Sequence, residues 1–173
     1  MSKEKQDKFL QLYEPIHDRF ERFCRARVYG KMDYKDLINE TLLVAFQKLD
    51  TLRSEDAFLS FLFTISVRLL SNQHKKKKED SISEATSYHL QDVNARTEQA
   101  TEVYFLHQAL AELPEAQKEA IILYEISGFS VKEVAKIQDA SESAVKQRLK
   151  RGREQLVEIL NYESITKKED TNG

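Results

Sequence analysis

The residues best placed to do chemistry lie in one stretch, Ser141 to Arg153, which reads SESAVKQRLKRGR. It holds five cations, Lys146, Arg148, Lys150, Arg151 and Arg153, against a single acid, Glu142. Wound as a helix at ~100° per residue, Val145, Leu149, Gly152 and Leu156 share one apolar stripe. The opposite face carries Ser143, Lys146, Gln147, Lys150 and Arg151, with Arg148 and Arg153 flanking the stripe. Ammonium and guanidinium groups hold phosphates, a glutamine amide pairs with the adenine edge, and a lysine donates to guanine acceptors. The chemistry implied is recognition of duplex DNA.

Two further groups stand out. Arg68, Asn72, Gln73, His74, Lys75 and Lys76 belong to a second basic island, Arg68 to Lys78, that has five cations and no acid. Asp36, Asn39, Glu40 and Gln47 form a polar and acidic margin beside an apolar helical stripe that includes Leu37, suited to a basic partner helix. Between the basic islands, Glu79 to Glu119 carries nine acids and two cations. The formal net charge of -2 hides this segregation. Two basic islands on predicted helices point to a polyanion more strongly than one charge run does.

Catalysis has no foothold here. The sequence offers no Gly-rich phosphate loop and no nucleophile beside a base. Its histidines, His17, His74, His89 and His107, read as scattered, without Cys or carboxylate partners at ligand spacing, so neither metal nor cofactor is expected. A lone Cys24 excludes an internal disulfide and suits a reducing cytoplasm. No apolar run approaches the roughly 18–20 residues of a membrane span, and the start MSKEKQDKFLQLY lacks a signal peptide's apolar core.

The elements that must position these groups are helices, because four Gly and two Pro in 173 residues leave little turn chemistry. Residues 5–29 show helical spacing that Gly30 stops. Asp33 caps a second helix carrying Leu37, Thr41, Ala45 and Leu49, and a third, from Ser54 or Glu55, runs into SNQHKKKK. Residues 79–96 are polar and aperiodic and read as a flexible linker. Beyond it come a helix over 97–112, one opened by Pro114 and closed by Gly128, and a two-turn helix with the capping box Ser130–Glu133. After the turn Gln138-Asp139-Ala140, Ser141 caps the basic helix, which runs to about Asn161. The expected fold is all-α: helical domains over 5–78 and 97–161, a linker over 79–96, and a disordered tail over 162–173.

ALAELPEAQKEAIILYEISGFSVKEVAKIQDASESAVKQRLKRGREQL resembles region 4 of bacterial sigma factors, and DYKDLINETLLVAFQKLD with FLSFLFTISVRLL resembles region 2. Two such regions joined by a bare linker, over roughly residues 9–160, are similar to the extracytoplasmic-function (group 4) sigma factors of the sigma-70 family. The resemblance implies a non-enzymatic, cytoplasmic factor that binds core RNA polymerase through its β′ and β subunits and directs promoter-specific initiation. It implies that Ser143, Lys146, Gln147, Arg148, Lys150, Arg151 and Arg153 read the -35 element. Arg68, Asn72, Gln73, His74, Lys75 and Lys76 would face the -10 element, and Asp36, Leu37, Asn39, Glu40 and Gln47 the polymerase. An anti-sigma factor is a further expected partner.

Three departures from the family pattern bear on this. The helix-turn-helix turn lacks its usual Gly, Phe61 stands where Trp is common, and Arg68 and Asn72 occupy positions usually held by Asn and Asp. Rival readings are a stand-alone helix-turn-helix regulator that binds operators without polymerase, and a sigma-like protein that has lost promoter activity.

Overall fold

In the computed structural model the described residues are 2–79 and 98–171, with side chains described for 2–78 and 101–161. Most of the expected linker therefore lies outside the described residues, as do the side chains of the expected tail.

The first half is a four-helix unit. Helix α1 (Lys3–Tyr13) ends where Pro15 enters a 3-10 turn, Glu14–Ile16, so the single helix expected over 5–29 is two, with α2 spanning His17–Arg27. Proline cannot donate to the ladder and redirects the chain there. Gly30, at φ +76°, takes the left-handed turn into α3 (Tyr34–Gln47), whose N-cap Asp33 accepts from the Lys35 amide. Helix α4 (Phe58–Glu79) follows two 3-10 turns and carries the lysine run on its last turns. Phe20, Phe23 and Phe63 pack ring on ring at its centre.

The second half contains α5 (Glu98–Ala111), α6 (Glu115–Ile121), α7 (Val131–Gln138) and α8 (Glu142–Thr171). Pro114 sits just before α6, which passes into a π-helical turn, Ile122–Ile126, closed by a bond from the Ser127 amide to the Ile122 carbonyl. Helix α8 outlasts the expected end at Asn161, its backbone being helical to Thr171.

The two halves share one apolar core that runs from Phe9 to Leu149. Phe129, after Gly128, meets Phe63 edge-on at 4.8 Å and lies beneath the Arg19 guanidinium. The Arg19 Nε donates to the Ser127 carbonyl at 2.5 Å. Deeper in, Arg27 donates to Glu119 at 2.9 Å and to Glu115 at 2.6 Å, and Lys31 and Lys118 also pair with Glu115. Burial, with Arg27 nearby, pushes the Lys118 ammonium down to about 8. Burial, then Lys118 and Arg27, takes Lys31 to about 8 as well. Tyr29 meets Tyr104 edge-on at 6.0 Å and, at a tilt, His107 at 5.6 Å, whose pKa falls through burial and the charge on Arg25. Loss of one partner from such a buried cluster costs about 3–5 kcal/mol, because the remaining charge stays desolvated.

Candidate nucleic-acid interface

The helix-turn-helix is assembled by its caps. Ser130 Oγ accepts from the Glu133 amide at 3.1 Å, and the Glu133 carboxylate accepts from the Ser130 amide at 3.2 Å. At the turn Asp139 adopts φ +52°, and the Ala140 amide returns to the Ala135 carbonyl at 2.9 Å. The left-handed residue of this turn is an Asp, whose short polar side chain tolerates that conformation at modest cost. Ser141 Oγ then accepts from the Ala144 amide and opens α8.

Packing fixes which face of α8 looks outward. Val145 and Leu149 are buried, and Gly152 lies so close to Ile121 of α6 that a Cβ there would collide with the Ile121 Cδ1. The expected stripe is therefore the contact stripe. Ser143, Lys146, Gln147, Lys150 and Arg151 are all exposed on the far side. The two flanking arginines are engaged within the protein. Arg148 donates to Gln138 Oε1 at 3.0 Å, and Arg153 donates twice to Glu125, at 3.1 and 2.6 Å, beside the Tyr124 ring. Arg153 is half-exposed, so its surface pair with Glu125 is weak enough for a phosphate to compete.

The second site is an open cleft of about 640 Å³ between α3 and α4. Phe61 forms an apolar wall, and Arg68 and Asn72 lie seven and eleven residues further along the same side of α4. Lys48 and Arg53 close the cleft from the segment joining the helices, and no acid lines it. Three cations and an aromatic ring in one concave site suit a base held away from its stack, with its phosphates. Of the residues singled out earlier, Arg68 and Asn72 meet here. Gln73 instead turns to Glu40, at 3.3 Å, while His74, Lys75 and Lys76 are exposed further along the helix. Sequence reasoning missed Lys48 and Arg53, whose only signal was two cations at the ends of a short connection before a basic helix. Phe58 and Phe63 belong to the core.

On α3, Asp36, Asn39, Glu40 and Gln47 are exposed, as expected for a docking face. Leu37 is corrected: it is fully buried against the core and cannot touch a partner. The apolar member of the outer face is Leu43, 59% exposed, in register with Asp36, Glu40 and Gln47. The reading of the histidines also needs correction, since His17, Asp18 and Glu21 bring ligand-capable atoms within 4.8 Å of one another. Tyr13 holds His17 Nδ1 at 2.6 Å and Arg25 occupies Glu21 at 3.1 Å, so neighbouring side chains already engage two of the three.

Comparison with known proteins identifies this arrangement. Residues 12–79 match the family model for Sigma-70 region 2, and residues 106–156 that for Sigma-70, region 4. The ECF RNA polymerase sigma factor EcfG of Rhodopseudomonas palustris is 30% identical over 127 residues, which cover 72% of this chain and 70% of that one. The ECF RNA polymerase sigma-E factor of Haemophilus influenzae is 29% identical over 144 residues, 76% of each. Among solved structures, the sigma factor RpoE in complex with the anti-sigma factor NepR from Bartonella quintana superposes with a TM-score of 0.66 at 25% identity, over 92% of this chain and 98% of that one. CnrH in complex with the cytosolic domain of CnrY gives the same score and identity over 91% and 90%. The chain thus belongs to the extracytoplasmic-function sigma factors of the sigma-70 family, which direct RNA polymerase to promoters.

Proposed function

We propose that this sigma factor grips its promoter at two places, α8 reading the -35 element and the α3–α4 cleft holding the -10 element as it opens. The observation that carries the proposal is the outward face of α8. Lys146, Gln147, Lys150 and Arg151 are exposed together, opposite a stripe that α6 and α7 bury. Lys146 and Gln147 in the first two turns reach base edges, while Lys150 and Arg151 hold phosphates. In the cleft, Phe61 stacks an extruded base and Arg68, with Lys48 and Arg53, neutralises the strand. Unstacking costs a few kcal/mol, which these contacts offset.

Docking on core polymerase falls to the exposed margin of α3, Asp36, Asn39, Glu40 and Gln47, around Leu43. The protein acts by binding rather than by bond-making, on polymerase in the cytoplasm. Among the described residues no helix is long and apolar enough to cross a membrane. RpoE was solved with an anti-sigma factor and CnrH with the cytosolic domain of CnrY, and the likeness to both supports an anti-sigma partner here.

Run-off transcription with purified core polymerase on genomic fragments tests the reading. Transcripts that need both proteins support it. Tight, polymerase-independent binding of a palindromic site by a dimer would instead identify a stand-alone regulator.

A further inference from the structure

The seam between the two regions carries chemistry that promoter reading does not use. Its centre is Glu119 on α6, whose two carboxylate oxygens serve different regions. Oε2 accepts from Arg27 of α2 at 2.9 Å, across the seam. Oε1 accepts from the Gln138 amide at 3.0 Å, and Gln138 Oε1 in turn accepts from Arg148 of α8 at 3.0 Å. One carboxylate therefore ties region 2 to the helix-turn-helix and, through Gln138, to a recognition-helix arginine. Two more contacts reinforce the tie: Arg19 on the Ser127 carbonyl and over Phe129, and Tyr29 against Tyr104 and His107.

This closed arrangement cannot span a promoter. Elements centred near -35 and -10 lie ~25 base pairs apart, about 85 Å at ~3.4 Å per step. A compact chain of 173 residues has a radius of gyration of about 16 Å, or roughly 40 Å across. Engaging both elements requires the seam to part.

We infer that the Arg27–Glu119 pair, with Arg19 on Ser127, is a latch that keeps the free protein closed, and that Glu119 through Gln138 positions Arg148 while the latch is fastened. The inference rests on the two-site reading above. The outward face of α8 is exposed in the closed form as well, so what the latch blocks is simultaneous use of that face and the α3–α4 cleft, and whatever favours the open form favours DNA that offers both elements. Arg19 and Arg27 are cations, and their removal on charge grounds alone would weaken DNA binding. As a latch, their removal strengthens it.

The test uses the full chain as wild type, Arg19→Ala and Arg19→Ala/Arg27→Ala, with circular dichroism confirming helix content. Small-angle scattering without DNA should give a compact wild type, an enlarged double variant and an intermediate single variant. Affinity for a random-sequence duplex carrying an unpaired bubble about 25 base pairs from its far end, which offers both sites a ligand, should rise about fivefold or more in the double variant, despite its two lost charges. An unchanged radius of gyration, or no gain in affinity for the bubble DNA, overturns the latch. Should the double variant fail to fold, Arg19→Ala, altered at a partly buried site, decides by the same two readouts. Run-off transcription separates the readings: a chain that opens as described yet never directs transcription overturns the promoter reading and leaves the latch standing.

Discussion

Region 4 and region 2 both present cations to the same polymer, but they display them in opposite ways. On α8 the exposed Lys146, Lys150 and Arg151 recur at helical spacing, so one convex face carries them. On α4 the run Lys75–Lys78 steps around the whole circumference and cannot face one surface. What organises region 2 is a concave site, Phe61, Arg68 and Asn72 on one side of α4, with Lys48 and Arg53 opposite. Spacing suits the reading of bases in an intact groove. A lined cleft suits a strand that has left the duplex. Charge count alone would have ranked the lysine run first and overlooked the cleft.

The largest effect should come from breaking the support of the convex face. Gly152→Val drives a side chain into Ile121 and should cost region 4 about 3 kcal/mol. Thermal melts should then show a lowered transition with -35 binding lost, while polymerase still captures the chain through region 2. Next, Lys146→Ala with Gln147→Ala should reduce -35 duplex affinity about 10- to 100-fold, each base contact being worth ~1–3 kcal/mol. Polymerase association should persist. Arg68→Ala with Asn72→Ala should do the converse, sparing -35 binding and abolishing open-complex formation seen by permanganate reactivity. Identical profiles for the two pairs would erase the distinction between the surfaces.

A smaller effect concerns pH. Lys31 and Lys118 have their pKa values lowered from 10.5 to about 8 in the closed form, where they face Arg27, Glu115 and Glu119, and Lys31 also feels Lys77. Between those values an open form with ordinary lysines binds more protons than the closed one. Closure should therefore strengthen as pH rises from about 8 towards 10.5, and weaken as it falls back. The lowered pKa of His107 acts with the same sign in its own, more acidic range. Scattering at pH 7.5 and 9.5 should show a modestly more compact chain at the higher value. The smallest effect is at the turn: Asp139→Gly relieves the left-handed strain and should raise stability by about 0.5 kcal/mol, read as a slightly higher melting temperature.

Helix positions were largely legible because apolar spacing and caps are local. Asp33, the Ser130–Glu133 box and Ser141 all cap helices as expected. The break at Pro15 was legible in principle, yet apolar spacing on both sides disguised it. Leu37, rightly on the apolar stripe, was wrongly counted with the docking face as well, because spacing gives a stripe but not which edge of it is covered, and Leu43 was missed for the same reason. Lys48 and Arg53 carry no periodic signal, since they act from a connection whose path depends on two helices packing.

By itself, the sequence determined the helices, their amphipathic faces and the two basic islands, since each follows from residues within a few turns of one another. Only the tertiary structure decided that Arg27 lies between Glu115 and Glu119, 88 and 92 positions away, and that Glu119 is shared with Gln138. Complementary charges that far apart in a chain with 27 cations and 29 acids have many possible partners. What selects one is desolvation: Phe63 and Phe129 bring the halves together, and the water excluded around Arg27 leaves only those carboxylates to satisfy it.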